Sequence, residues 1–430
     1  MNAFTLPKGW ARRRLRFDAR FNPVKSALSI PDETEVSFVP MEAVGEFGGL
    51  QLDQTRQLGE VYTGYTYFAD GDLCIAKITP CFENRKGALA KGLMNGIGFG
   101  TTELHIVRPA ETIDARFLFY ISVASDFREI GASEMLGAGG QKRVPEVFLK
   151  DWRAPLPALE TQKRIAAFLD DKTARIDGLI AKKEALVERL AEKRQTIITQ
   201  AVTKGLNPAA PLKDSGIDWL GQIPAHWKVK PLKRLASIWG RIGFRGYTVT
   251  DIVSEGEGAL SLSPSNIIGD RISFDTKTHI SWEKYHESPE IKVRVGDILF
   301  VKTGSTIGKV CLVTERPEPM TVNPQVVVLK VHAANSLFLS AAMSSAYFNH
   351  QVRGYIFGGS TPAMTQYNLG SLAVAVPPEI EQKGIAELIA RSEDEHLNAK
   401  RQVERSIKLL TEYRSALVTS AVTGGIEGLR

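Results

Sequence analysis

An internal repeat is the feature that most constrains the fold of this chain. Residues 192–206 and 412–426 are identical at seven of fifteen positions, at a constant separation of 220 residues. The same separation relates Pro157 to Pro377 and Gln162 to Gln382. A repeat of this length predicts two copies of one architecture, in which a globular part precedes a helical part.

The helical part of each copy has few helix-breaking residues and a regular apolar pattern. Residues 158–207 contain no proline, and Pro208 follows them. Gly205 stands where a C-terminal cap belongs. The apolar side chains recur at steps of three, four and seven residues, which predicts a seam facing another helix. The predicted seam consists of Ile165, Leu169, Ile176, Leu179, Leu186, Leu190 and Ile197.

The second helical part spans residues 378–424 and repeats this pattern. A lone amphipathic helix of this length needs an apolar partner in water, and the other copy can supply one. We expect the two helices to pack as an antiparallel coiled coil, although the residues alone leave parallel packing open.

The globular parts contain short β-branched and aliphatic runs bounded by glycine and proline, which predict strands. Two short helices are predicted at Ala115–Ser125 and Ser336–Ser345. The predicted fold class is therefore α+β, with two globular α/β domains that are each followed by a long helix. The predicted strands are Glu35–Val39, Leu73–Ile78, Leu104–Val107, Asp297–Val301, Lys309–Val313 and Gln325–Val331.

These patterns predict a five-part organisation. The parts are a first globular domain at 1–157, a central helix at 158–206, a linker at 207–222, a second globular domain at 223–377 and a C-terminal helix at 378–424.

Polar and basic residues cluster in the loops of both globular parts. Arginine and lysine pair with phosphates and guanine, glutamine pairs with adenine, and serine or threonine pairs with either kind of group. The pattern predicts a DNA-binding surface, although an ordinary solvated loop has a similar composition. The candidate DNA-binding residues are Lys77, Thr79, Arg85, Lys86, Gln141, Lys142, Arg143, Arg241, Arg245, Tyr247, Lys302, Thr303, Ser305 and Thr361.

Composition narrows the function further. The net charge of +6 is compatible with a nucleic-acid partner but is weak evidence alone. Three widely spaced cysteines and seven scattered histidines form no metal-binding spacing, so we expect neither a metal site nor a disulfide framework. The sequence has no apolar run long enough to span a bilayer or serve as a signal peptide, so we predict a cytoplasmic protein without membrane contact.

No motif in the sequence supports catalysis. The run from Gly304 to Lys309 resembles a phosphate-binding loop, but it is one residue short, and Val310 replaces the serine or threonine that would bind magnesium. We interpret it as a turn between strands. The chain also lacks the Asp-Pro-Pro-aromatic or Asn-Pro-Pro-aromatic run of amino-methylating enzymes. We therefore expect no enzyme activity in the chain itself.

Three repeated motifs carry a resemblance to a known family. They are the Leu-Pro-x-x-Trp opening at Leu6–Trp10, matched by Ile223–Trp227, the Gly-Asp-Leu run at Gly71, matched by Gly-Asp-Ile at Gly296, and the runs Pro157–Ala166 and Pro377–Ala386. With these motifs the chain closely resembles the specificity (S) subunit of Type I restriction–modification systems over nearly its whole length.

The resemblance implies a division of labour. Each globular half would read one part of an asymmetric bipartite DNA site, while the helices set the spacing and bind two modification subunits. Those subunits would use S-adenosylmethionine to methylate adenine, and restriction subunits that use ATP and Mg²⁺ would complete an endonuclease. No cofactor is expected in this chain. The loops follow no shared pattern, so the recognised sequence stays open.

The sequence leaves other interpretations open. The chain could be the recognition module of another restriction–modification class, although this length leaves no room for an attached enzyme domain. It could also be a coiled-coil scaffold with no nucleic-acid role. A transcription regulator is disfavoured because neither half contains a helix-turn-helix pattern.

Overall fold

Two long helices organise the fold. The structure, a computed structural model, describes residues 6–138, 140–217, 219–241, 246–356 and 362–429, apart from the side chain of Ala27. It forms two compact units, one made of the residues up to 185 with those from 403 onward, and the other of residues 186–402. The α-helices are α1 Leu58–Val61, α2 Ala115–Val123, α3 Ser125–Ser133, α4 Glu146–Asp151, α5 Leu159–Lys204, α6 Trp282–His286, α7 Ser336–Ser344, α8 Ala346–Gly354, α9 Gln366–Ser371 and α10 Glu379–Val422.

The globular part of the first unit contains two four-stranded sheets. One has the order β2-β9-β6-β7 and is antiparallel, and the other has the order β4-β3-β8-β5 with a parallel pair at β3 and β8. A further pair joins β1 to β10. The strands are β1 Ala11–Arg14, β2 Ala19–Phe21, β3 Glu35–Val39, β4 Thr55–Gln57, β5 Thr66–Ala69, β6 Leu73–Ala76, β7 Gly87–Leu89, β8 Ile97–Gly100, β9 Leu104–Pro109 and β10 Arg153–Leu156.

The second unit repeats the antiparallel sheet of the first, but its mixed sheet has a different strand arrangement, with the parallel pair at one edge. Its antiparallel sheet has the order β14-β23-β20-β21, its mixed sheet has the order β15-β19-β16-β22 with β16 parallel to β22, and β13 pairs with β24. The strands are β11 Leu212–Asp214, β12 Gln222–Pro224, β13 Lys228–Pro231, β14 Ala236–Gly240, β15 Ile252–Val253, β16 Gly258–Leu262, β17 Ile267–Ile268, β18 Arg271–Ile272, β19 His279–Ser281, β20 Ile298–Val301, β21 Val310–Leu312, β22 Met320–Val322, β23 Val326–Val331 and β24 Ala373–Val376.

The strands and short helices predicted from the sequence are present with small differences at their ends. The strand at Glu35–Val39 has the predicted bounds, whereas β6 ends two residues earlier than predicted, at Ala76. The two short helices begin at the predicted residues, Ala115 and Ser336. The predicted α+β class with long helices after each globular part is confirmed.

The two long helices pack in opposite directions within each unit. In the first unit, Arg164 near the start of α5 donates to the carbonyl of Leu429, which follows the end of α10, whereas Asp177, further along α5, pairs with Arg414 of α10 at 3.1 Å. Residue numbers therefore rise on one helix as they fall on the other, which confirms antiparallel packing. In the second unit, Arg194 of α5 pairs with Glu393, and Leu206 beyond its end lies against Gly384.

The predicted apolar seam is only partly buried, and the continuous heptad interpretation is wrong. Both Leu179 and Leu186 are exposed, at 48% and 44%. A heptad seam stays on one face only when helices supercoil, because a straight helix drifts by about 20° per heptad. Ile165, Leu169 and Ile176 are buried, and Leu190 and Ile197 are half-buried.

Burial instead follows an eleven-residue spacing, which is about three turns of a straight helix. On α5 the spacing relates Ile165, Ile176, Val187 and Ile198, and on α10 it relates Ile385, His396, Ile407 and Val418. The terminal members of both series are almost fully buried, while Val187, His396 and Ile407 are half-buried. Ile198 is therefore buried in the core, whereas the predicted seam residue Ile197 is only half-buried.

The repeated glutamine ties each long helix to its globular part. Gln162 is 2% exposed, and its Oε1 accepts a hydrogen bond from the backbone of Asp114 at 2.9 Å. Asp114 is the N-cap of α2. Gln382 makes the same bond to Asn335, the N-cap of α7, at 2.8 Å. A buried amide that bridges two helix starts satisfies backbone donors that water cannot reach.

The repeated Pro-x-x-Trp motif covers the C-terminal ends of the long helices. Gly205 ends α5 with a φ of +76°, and the side chains of Pro224 and Trp227 lie against it. In the first unit, Pro7 and Trp10 lie in the same way against Gly424, whose φ is +77°. The left-handed conformation and the close packing both favour glycine at this position.

No helix among the described residues combines the length and apolar character needed to cross a membrane.

The eleven-residue spacing predicts which side chains of α5 stabilise the second unit. Ile198→Ala removes a side chain that is 5% exposed, so we expect the free energy of unfolding to fall by about 2–5 kcal/mol. The matched control, Leu186→Ala, alters an exposed position, and we expect a loss below about 1 kcal/mol. Urea unfolding of the full chain measures both, and equal losses would contradict the spacing.

Candidate nucleic-acid interface

The structure brings five of the predicted DNA-binding residues of the first globular part together. We call residues 77–80, 101–103, 136–138 and 140–143 the first loop cluster. The segment after β6 pairs with the segment before α4, since the amide of Thr79 donates to the carbonyl of Lys142 at 3.0 Å and that of Val144 donates to Lys77 at 2.8 Å. Gln141 and Arg143 lie in the same segment, and the side chains of Gln141, Lys142 and Arg143 are exposed.

The second globular part contains the same backbone frame, which we call the second loop cluster (residues 302–305, 323–325 and 362–364). The amide of Gly304 donates to Pro362 at 2.8 Å, and that of Met364 donates to Lys302 at 2.9 Å. Both lysines also donate their own amides at 2.9 Å to the equivalent residues Glu103 and Gln325. Thus Lys77 and Lys302 occupy corresponding positions in two hydrogen-bonded frames.

The electrostatics of the two clusters differ. In the first cluster, the hydrogen-bonded Arg143 guanidinium holds the pKa of Glu103 below its ordinary value, and Glu103 in turn raises the pKa of Arg143. In the second cluster, burial lowers the pKa of Lys302, because its ammonium is partly desolvated. A phosphate placed beside Lys302 would offset this cost of desolvation.

Other candidates of the first globular part face the protein. Arg85 donates to the hydroxyls of Ser125 (3.1 Å) and Ser415, and its guanidinium lies 5.1 Å from the ring centroid of Phe47. Burial lowers its pKa. Lys86 donates to the carbonyl of Met41 at 3.1 Å. These contacts give Arg85 a role in joining the globular part to α10, and its DNA contact stays a prediction without geometric support.

Arg241 of the second globular part is also engaged internally. It is 3% exposed and donates to the carbonyl of Val322 and the hydroxyl of Thr321, both at 3.3 Å. Burial lowers its pKa. Its guanidinium lies 5.6 Å from the ring centroid of Tyr247, whose hydroxyl accepts a hydrogen bond from Ser261. In this conformation the Arg241 side chain is inaccessible to a ligand.

The remaining candidates of the second globular part divide into two groups. Thr303 and Ser305 lie in the second loop cluster, where Ser305 is exposed and Thr303 is half-buried. Arg245 and Thr361 lie outside the described residues.

Sequence reasoning missed Glu103 of the first loop cluster and the neighbouring His105 of β9. Glu103 forms a two-point ion pair with Arg143, at 2.7 and 2.9 Å. His105 is 6% exposed, and its Nε2 lies 2.9 Å from the carbonyl oxygen of Val144. A single acid and a single histidine near the start of a strand form no motif. The hydrogen-bonded equivalence of Glu103 and Gln325 appears only in the structure.

The turn that resembles a phosphate-binding loop connects two strands, as predicted. The amide of Gly308 donates to the carbonyl of Val301 at 2.9 Å, so residues 302–308 close a turn between β20 and β21. The ammonium of Lys309 donates to the carbonyl of Ile267 at 3.1 Å. This geometry gives the turn a structural role.

One group of side chains in the described residues has the spacing of a metal site. Ligand atoms of Glu255, His279 and Glu318 lie within 4.8 Å of one another. The Lys277 ammonium pairs with both carboxylates, at 2.5 Å to Glu255 and 3.3 Å to Glu318. A cationic side chain thus already balances these acids, and the absence of a metal stays a prediction.

This chain is similar to specificity subunits of Type I restriction enzymes. Residues 267–406 match the family model described as the Type I restriction modification DNA specificity domain. The specificity subunit of the Escherichia coli Type I restriction enzyme EcoAI is 45% identical over 164 residues, which are 38% of this chain and 28% of that subunit. The MjaVIII specificity subunit of Methanocaldococcus jannaschii is 24% identical over 331 residues, 76% of this chain and 73% of that subunit. The family model covers less than half of this chain, which resembles Type I specificity subunits over that part.

The match to the E. coli subunits is partial, since the chain covers 28% of the EcoAI subunit and 27% of the EcoEI subunit.

Solved structures extend the likeness of the fold. A chain from a study of assembly and conformational transition of the type I R-M system has a TM-score of 0.72 at 17% identity, over 98% of this chain and all of that one. The HsdS subunit from Thermoanaerobacter tengcongensis has a TM-score of 0.54 at 17% identity, over 99% of both chains.

The family model begins at β17 and ends within α10. It therefore includes the whole second loop cluster and the repeated glutamine Gln382. The corresponding frame of the first globular part lies outside the matched residues, and its equivalence rests on the shared hydrogen bonds.

His105 predicts a pH dependence for the first unit. Burial lowers its pKa below the ordinary 6.5, so folding favours the neutral imidazole. The stability that the neutral form provides is complete above about pH 6.5 and is lost as the pH falls through the folded-state pKa. Between pH 7 and 5 we expect the thermal unfolding midpoint of the wild-type chain to fall more steeply than that of His105→Gln. Parallel curves would contradict this assignment.

Proposed function

We propose that this chain is the non-catalytic DNA-recognition subunit of a Type I restriction–modification complex. Each loop cluster would read one part of an asymmetric bipartite site on double-stranded DNA. The long helices would set the spacing and bind two modification subunits, and restriction subunits would complete the endonuclease.

The observation that carries this proposal is one backbone frame that occurs twice with different side chains. Lys77 and Lys302 are shared, but Arg143 of the first frame corresponds to Ala363 of the second, and Glu103 corresponds to Gln325. Base edges are read by side chains, whereas backbone contacts position the protein on the duplex. Two backbone frames with the same geometry but different side chains would therefore read two different half-sites.

The exposed surfaces of the long helices support a role in partner binding. Lys182, Arg189 and Glu192 are exposed on α5, as are the apolar side chains of Leu179 and Leu186. Exposed leucines among charged residues are typical of surfaces that become covered on association. The methyl donor S-adenosylmethionine, ATP and Mg²⁺ would bind to the partners, because no catalytic motif is found in this chain.

Methylation mapping tests the proposal. We expect cells that express this chain with its modification subunits to methylate adenine in one asymmetric bipartite DNA motif. Omitting this chain should abolish the motif, and the chain alone should transfer no methyl group, because recognition and chemistry lie on different subunits. Long-read sequencing of genomic DNA measures the pattern. An unchanged pattern without the chain, or methyl transfer by the purified chain alone, would refute the proposal.

A paired insertion tests the role of the helices in spacing. Both α5 and α10 run through the boundary between the units, near residues 185 and 403. Inserting four residues into each helix at those points adds about one turn, roughly 6 Å. Because DNA rises about 3.4 Å per base pair, we expect a spacer longer by one or two base pairs and unchanged half-sites.

The control inserts the same residues into α5 alone, which leaves the two helices with unequal lengths and should reduce methylation without defining a new spacing. A double insertion that altered the bases read, with the original spacing, would contradict the assignment of spacing to the helices.

A further inference from the structure

The ion pair between Arg143 and Glu103 fixes the orientation of one guanidinium group in the first loop cluster. The Nε and Nη2 atoms of Arg143 donate to the two carboxylate oxygens of Glu103 at 2.9 and 2.7 Å. The pair joins segments that are 40 residues apart in sequence. Arg143 remains 44% exposed, so the held group faces solvent.

The backbone beneath this side chain is fixed on two sides. Arg143 exchanges both backbone hydrogen bonds with Leu136, at 2.8 and 3.0 Å. On its other side, the neighbouring residues Lys142 and Val144 bond to the segment of Lys77 and Thr79. A side chain used for readout needs such a rigid base, because small displacements misalign its hydrogen bonds.

Glu103 occupies only one edge of the guanidinium. One N–H of Nη1 points toward the carbonyl of Gln141 at 3.5 Å. The edge formed by Nη1 and Nη2 keeps one N–H on each nitrogen, and these two donors are parallel. Two parallel donors from arginine match the O6 and N7 acceptors of guanine in the major groove.

The placement of the acid argues against a phosphate contact. A carboxylate fixed beside Lys77 and Arg143 repels phosphates, and an exposed ion pair contributes little to stability. Neither phosphate binding nor stability of the fold therefore explains Glu103. Holding the two parallel donors of Arg143 in one orientation does explain it.

We propose that Arg143 reads a guanine in the first half-site and that Glu103 is the positioning residue that orients it. This inference rests on the proposed function. In the second loop cluster, Ala363 and Gln325 stand in the corresponding positions. That half lacks the pair, and the guanine contact belongs to the first half-site alone.

The test measures base preference in the complex of this chain with its modification subunits, using DNA libraries in which each position of the site is randomised. Wild type should require guanine at one position of one half-site. Arg143→Ala should reduce discrimination at that position by about 5- to 150-fold, the range of one good bidentate contact. Arg143→Lys should lose most of it, because a single ammonium lacks the planar donor pair.

Glu103→Gln tests the positioning role. Glutamine keeps the shape of the side chain but offers only one acceptor oxygen, so discrimination should weaken at the same position and nowhere else. The thermal unfolding midpoint should be unchanged, which separates positioning from folding. The control is Lys142→Ala on the adjacent exposed residue, which should weaken binding to all sequences and reduce the salt dependence.

The outcomes distinguish failure of the guanine contact from failure of the proposed function. A wild-type complex with no sequence preference would refute the proposed function. A wild type that reads a bipartite site, with Arg143→Ala and Glu103→Gln leaving every preference intact, would refute only the guanine contact. Uniform loss of affinity with a reduced salt slope in Arg143→Ala would identify a phosphate contact and also overturn the inference.

Discussion

The structure depends on apolar contacts between the ends of two antiparallel helices and the cores of the globular parts. In the first unit, Ile165 and Leu169 of α5 and Val418 and Val422 of α10 belong to the same buried cluster as the core of the globular part. In the second unit, the other end of each helix likewise belongs to the buried cluster of the globular part. Both helices contribute side chains to both cores, so each helix is an integral part of both units. Burial of this kind supplies most of the stability of long amphipathic helices in water.

The residues that make the repeat recognisable belong to this scaffold. Gln162 and Gln382 bridge the starts of two helices in each unit, and Trp10 and Trp227 cover the glycines that end the long helices. The glutamine must bond buried backbone groups, and the tryptophan must cover a helix end. Few other side chains can do either, so the two copies keep the same residue. Loops at the surface face no such constraint. The scaffold can therefore stay constant while the side chains of the loop clusters differ.

Polar composition alone could not separate loop residues that face solvent from those that face the protein. Arg85 and Arg241 have the same sequence character as Arg143, but their donors are used by Ser125, Thr321 and backbone carbonyls. An arginine that stabilises a domain and one that is available to DNA differ only in their surroundings. Likewise, Leu179 matched the apolar period and yet is exposed, because the contact face of a straight helix drifts away from a heptad.

The sequence by itself determined the duplication, the α+β class, the two long helices with their terminal glycines and most strand positions. Periodicity, capping residues and repeated motifs encode local structure, and these signals act over a few residues. Tertiary structure decided which arginines are exposed, which face of each helix is buried and that Glu103 meets Arg143 across 40 residues. Such pairings depend on how distant segments align in three dimensions. No local pattern records that alignment, so the sequence could name loop residues of the candidate site but only the fold showed how they come together.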